Sequence, residues 1–185
     1  MCGIGLCIGM IFWIVYEKNN PLAGQKKYAS WAQTVQIDPQ KLYPVTDVVD
    51  GDTIKTLISG YVITIRLLGI NTPEVVDPRK PVECYGREAS AETKSLLTGK
   101  SVSISLNPNY ERVDMYGRLL AYVRLVDPND ISTISLFVNE FLVKQGFAYE
   151  YTFNEKNPYQ YQKQFKVDEL EAKNAKRGLW GKCDN

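Results

Sequence analysis

Histidine is absent from the 185-residue chain. That excludes imidazole as a general base, as the partner of a serine nucleophile and as a zinc ligand, so any proton transfer falls to carboxylates, lysine, tyrosine or water. An excess of charge of either sign is lacking too: 22 Lys+Arg stand against 21 Asp+Glu. Proteins that coat nucleic acid by bulk attraction carry a marked basic excess, so a cationic site in this chain must be small and local. Cysteine is scarce, with four residues and no C-x-x-C spacing, which argues against a zinc knuckle or a thioredoxin-like motif. There is no internal repeat and no low-complexity tract.

What the chain does have begins with an uncharged stretch from Cys2 to Tyr16, rich in Ile, Leu, Phe and Trp. Such a segment belongs in a membrane or an export channel, although a spanning helix needs roughly 20 apolar residues and a signal usually has basic residues before its apolar part. Neither Ala23 nor Ala29–Ala32 offers a clean cleavage site, which favours an uncleaved anchor over a removed signal. Lys18, Lys26 and Lys27 follow the run, and the positive-inside rule would then hold the body on the cytoplasmic side. A buried N-terminal helix is the remaining reading. The expected organisation is an anchor or signal over residues 1–16, a linker over 17–40 broken by Pro21, Gly24 and Pro39, and one working domain over 41–185.

In that domain, Val45–Val49, Thr53–Leu57, Tyr61–Leu68, Ser101–Leu106 and Arg118–Val126 read as strands joined by short turns. In Tyr61–Leu68 the alternation sends Arg66 away from the Ile63/Ile65 face, where a lone charge needs a partner. Helical spacing appears at about 86–98, 136–145 and 159–176, the last with a thin apolar stripe of Tyr161, Phe165, Asp168 and Ala172. Residues 127–133 read as a loop longer than a tight hairpin needs. The pattern predicts a mainly β fold, a five-stranded Greek-key barrel of the OB type with about three helices. Nothing in it requires more than a monomer.

The chemistry concentrates in Asp50-Gly51-Asp52-Thr53, Arg66-Leu67-Leu68, Thr72-Pro73-Glu74 and Asp114-Met115-Tyr116-Gly117-Arg118. Asp50-Gly51 alone is an ordinary turn dipeptide. With Tyr85–Ser90, Val138–Gly146 and Leu179–Trp180, these segments follow the order of motifs in the staphylococcal nuclease (thermonuclease-like) family, which the chain resembles from about Val45 to Trp180.

The resemblance implies a calcium-dependent nuclease on an OB barrel, cutting the 5′ P–O bond of DNA and RNA to leave 3′-phosphates. It implies Asp52, Asn71 and the Thr72 carbonyl as Ca2+ ligands, Glu74 as the residue that holds and activates water, and Arg66 and Arg118 as clamps on the scissile phosphate. Tyr116 and, by a looser alignment, Tyr151 would contact the nucleotide. Asn71 departs from the aspartate of the family's best-known member, and with one negative charge fewer, weaker calcium binding is expected.

Family members are commonly exported, and in an exported body Cys84 and Cys183 become a candidate disulfide, the alternative being two free thiols. The resemblance thus points to an exported protein, either secreted or anchored through its N-terminal segment, with anchoring at the cytoplasmic face left open by the lysines. The reading from a different class is a non-catalytic OB module that binds single-stranded nucleic acid or a protein. A binding module has no need of a water-positioning carboxylate beside two guanidiniums.

Overall fold

The computed structural model describes residues 35–183 except 79, 80, 109, 128 and 129. The apolar run and most of the expected linker lie outside the described residues. Among these, no helix is long and apolar enough to cross a membrane.

Five strands close the barrel: β1 (Tyr43–Asp50), β2 (Thr53–Ile58), β3 (Tyr61–Leu67), β5 (Ser101–Ser105) and β6 (Leu119–Asp127). They are adjacent in the order β3-β2-β1-β5-β6, and a parallel pairing of Ile65–Leu67 with Leu119–Ala121 joins the two ends. Closure removes the free edges that an open sheet would expose. Alternate residues fill the interior, among them Ile54, Ile65, Leu67, Val102, Ile104, Leu119, Ala121 and Val123. The expected mainly β OB-type barrel with helices is thus the observed fold.

Strand β1 does not alternate cleanly. Its buried positions are Tyr43, Val45, Val48 and Asp50, with register irregularities between Val45 and Asp47 and between Val48 and Asp50. A bulge inserts one residue and shifts the period by one. After that shift Asp50, rather than Val49, joins the buried set.

Helix α1 (Gly86–Leu97) lies between β4 (Ile70–Asn71) and β5, and buries Ala89, Ser90, Thr93 and Leu97. Its Thr93 hydroxyl donates to the Gly51 carbonyl at 2.7 Å, which buttresses the β1–β2 turn. Helix α2 (Val138–Lys144) buries Val138, Leu142 and Val143. Helix α3 (Gln162–Asn174) buries only Phe165, Asp168 and Ala172, the thin stripe expected from the sequence. The short α4 (Leu179–Lys182) follows, and Cys183 beyond it is bonded to Cys84 just before α1.

Two features correct the sequence reading. The stretch read as a loop over 127–133 is a hairpin, with β7 (Asp130–Phe137) pairing antiparallel to β6 outside the barrel. The turn formers around Asp127 and a Ser/Thr-rich run hid an edge strand, whose existence depends on the partner it pairs with. The two-residue strand β8 (Tyr149–Glu150) pairs with β4, and neither is long enough to leave a pattern in the sequence.

Candidate active site

The β1–β2 turn places Asp50 and Asp52 at one mouth of the barrel. Gly51 is needed between them for space, because a Cβ there would meet the Thr72 side chain at 2.8 Å. That close approach lets the Asp52 carboxylate bind across the sequence: Oδ2 accepts the Thr72 N–H at 2.9 Å and its hydroxyl at 3.2 Å, while Oδ1 accepts the Thr53 hydroxyl at 2.9 Å.

Strand β3 supplies Arg66, which is buried and opposed to the Ile63/Ile65 face. The lone charge has its partners. Nη2 lies 3.0 Å from Asp52 Oδ2 and donates to Asn71 Oδ1 at 2.9 Å; Nη1 donates to the carbonyls of Leu67 and Ile70 at 2.8 and 2.7 Å. A buried guanidinium is tolerable only when its N–H groups are satisfied in this way. Burial pushes its pKa down from the ordinary arginine value, while Asp52 opposes the shift. Asp52, Arg66, Asn71 and Thr72 therefore form one connected network.

Arg118 lies between the turn 114–117 and the start of β6. Its Nε donates to Asp114 Oδ2 at 2.6 Å, and Asp114 Oδ1 accepts the N–H groups of Tyr116 and Arg118 at 2.9 Å each. Its guanidinium carbon lies 5.3 Å from the Tyr116 ring centroid. Arg66, Asn71, Arg118, Tyr116 and Tyr151 all line one cleft of about 620 Å³. Burial first, and then the positive charge of Arg118, lower the Arg66 pKa.

Glu74 is placed differently. It is half-buried at the start of the loop leading to α1 and, like the buried Asp52 and Thr72, does not line the cleft. Its Oε1 accepts the N–H groups of Val76 and Asp77 at 2.6 and 3.0 Å, and its own N–H donates to Glu83 Oε2 at 2.9 Å. The carboxylate is turned onto its own loop while remaining electrostatically close to Asp50.

Asp50 is the acidic residue that sequence reasoning passed over. It is buried, and desolvation first, then the neighbouring carboxylates of Asp52 and Glu74, raise its pKa to about 6 against the opposing pull of the Gly51 N–H and Arg66. The available signal was the Asp-x-Asp spacing at a strand end, which reads equally well as a turn. Asp114, which orients Arg118, was visible only as a letter of its motif.

Among the described residues, no three carboxylates, imidazoles or thiolates are grouped so as to hold a metal ion alone. An ion here would depend on neutral oxygens as well. The residues present fit that requirement: Asp52, the Asn71 amide oxygen and the Thr72 carbonyl are all hard oxygen donors.

The sequence profile of the staphylococcal nuclease homologue family matches residues 64–182. The SPbeta prophage-derived endonuclease YokF of Bacillus subtilis is 42% identical over 137 residues, and endonuclease YncB of the same species 39% identical over 137. Those matches cover 72% of this chain but 42% and 59% of the two relatives, so the chain spans about half their length. The thermonuclease of Staphylococcus hyicus is 36% identical over 141 residues, covering 76% of each chain. The profile covers the end of β3, all of β5 and β6 and every residue lining the cleft, and the thermonuclease aligns over three-quarters of both partners, so the chain belongs to the staphylococcal nuclease family.

Proposed function

We propose that the protein is a calcium-dependent phosphodiesterase that hydrolyses DNA and RNA with little sequence preference, cutting the 5′ P–O bond to leave 3′-phosphates. The observation that carries the reading is a cleft with Arg66 and Arg118 together on its wall, next to the buried carboxylate network of Asp52. Phosphodiester attack needs a water held in line and fixed cationic donors for the charge that develops on the phosphoryl oxygens.

Arg118 is the readier donor, because among the described residues only its Nε is bonded to a side chain. Arg66 gives up part of its hold on Asp52 and Asn71 when a phosphate enters. Asp52, Asn71 and the Thr72 carbonyl hold calcium, with Asp50 buried beside them. When bound, the ion supplies Lewis-acid polarisation of the phosphoryl group. Glu74 orients the attacking water and accepts its proton. Tyr116 and Tyr151 contact the nucleotide. Backbone and stacking contacts carry little base information, which accounts for low sequence preference.

The body is exported, secreted or tethered through its N-terminal segment, and acts as a monomer. The Cys84–Cys183 bond supports an oxidising compartment.

One observation favours the alternative, a non-catalytic barrel that binds single strands. Both backbone acceptances of Glu74 come from its own loop. The discriminating experiment is cleavage of single-stranded DNA by the full chain with calcium, magnesium or a chelator, beside Glu74→Gln. Activity in calcium only, half-activated above the micromolar range and falling by about 10²-fold or more in Glu74→Gln, is the expected result. Binding without cleavage under every metal would select the alternative.

A further inference from the structure

The cleft exposes more apolar surface than one nucleotide contact accounts for. Phe153 is 77% exposed, Tyr116 69%, Met115 68% and Tyr151 48%, and all four line it. Elsewhere among the described residues phenylalanine behaves as expected: Phe137 and Phe165 are buried, and Phe141 and Phe147 pack half-buried on the core. A phenyl ring gains no hydrogen bond from water, and an exposed Phe grouped with three further exposed apolar side chains around one charged cleft marks a surface used for binding.

The backbone beneath that ring is held. Tyr151 N–H donates to the Gly69 carbonyl at 3.0 Å. The Thr152 hydroxyl donates to the Glu150 carboxylate and accepts from Gln162 Nε2 at 2.8 Å. Glu150 also accepts from the Tyr159 hydroxyl at 2.8 Å. Tyr151 and Phe153 both line the cleft, whereas Thr152 is bonded to Gln162 of α3. Met115 stands on a turn closed by Gly117 N–H to the Asp114 carbonyl at 3.0 Å. Both apolar groups are therefore presented on fixed backbone, which lowers the cost of ordering them on a ligand.

We propose that Phe153, with Met115, forms a second base-binding surface, taking the unpaired base of the nucleotide next to the one contacted by Tyr116 and Tyr151. The occupant is a single nucleic-acid strand, because its chemistry matches both ends of the cleft: phosphates for Arg66 and Arg118, flat apolar base faces for a ring and a thioether. A base in a duplex is stacked on both faces and offers neither to Phe153, so the surface selects unpaired strands. The location of the phosphate rests on the nuclease reading; the stacking surface is tested without cleavage.

Fluorescence anisotropy of a labelled single-stranded decathymidylate, and competition by thymidine 5′-phosphate, are measured on the full chain carrying Glu74→Gln, in calcium. Adding Phe153→Ala is expected to weaken decathymidylate binding about tenfold, the size of one lost stack, and to leave thymidine 5′-phosphate within about twofold. Phe153→Trp restores the strand affinity. Unchanged decathymidylate binding in Phe153→Ala would overturn the proposal, and so would an equal loss for strand and mononucleotide, which would make Phe153 a wall of the first site. Failure of the nuclease reading shows elsewhere, as the absence of cleavage by the parent chain, and leaves the anisotropy comparison intact.

Discussion

At the scale of single residues, Asp50 is a buried carboxylate that desolvation keeps protonated above its ordinary range. The folded chain holds its proton to about pH 6 against an ordinary 3.8, so ionisation opposes folding. Its stability contribution is complete below about pH 4 and is lost as pH rises through about 6. With chelator present, Asp50→Asn is expected to be more stable than the parent at pH 7 by about 2 kcal/mol, after allowance for solvent screening, and equal to it near pH 4. Urea unfolding at the two pH values checks this, and an equal midpoint at pH 7 would refute it. The sequence could not reveal this burial, since strict alternation from Tyr43 and Val45 puts Val49, not Asp50, inside, and only the bulges in β1 reverse the parity. Arg66 was legible for the opposite reason: a charge inside an unbroken alternating strand declares its face and its need for a partner.

Helix α2 packs where the barrel closes. Its Asn139 is fully buried; Oδ1 accepts the Val123 N–H at 2.9 Å, and Nδ2 donates to the carbonyls of Leu68 at 2.9 Å and Ala121 at 3.4 Å. One amide thus ties α2 to the end of β3 and to β6, the two strands that join in parallel. Asn139→Ala removes the amide partner of the Val123 N–H and the Leu68 carbonyl, while the Ala121 carbonyl keeps the Leu68 N–H at 2.9 Å, and is expected to lower the unfolding free energy by about 3 kcal/mol. Thermal or urea denaturation measures it, and a loss under about 0.5 kcal/mol would show that the amide is not a support. Long periodic elements could be read from the sequence, and α1 and α3 lie close to their expected spans. The elements missed were the short α4 and the strands β4, β7 and β8, where pairing with a distant strand, not local propensity, decides the conformation.

At the scale of the whole molecule, the Cys84–Cys183 bond joins positions 99 residues apart and fastens the entrance of α1 to the chain end beyond α4. The tail is also stitched to α2, with Leu179 N–H donating to the Gly146 carbonyl and Arg177 Nη1 to the Lys144 carbonyl, each at 2.9 Å. Closing so long a loop restricts the unfolded chain, so the double variant Cys84→Ser, Cys183→Ser is expected to lose about 4 kcal/mol in urea unfolding. An unchanged midpoint would mean that the noncovalent stitching suffices. The sequence alone determined the exclusion of imidazole chemistry, the barrel class and the order of the motifs, because composition and strand alternation are local properties of the chain. Only the tertiary structure decided that Arg66, Asp52, Asn71 and Thr72 form one network, that Glu74 turns onto its own loop, that Asp50 is buried and that Phe153 stands exposed at the cleft. Each of those depends on which distant backbone lies alongside, and distances across a barrel are set by closure and bulges rather than by spacing along the chain.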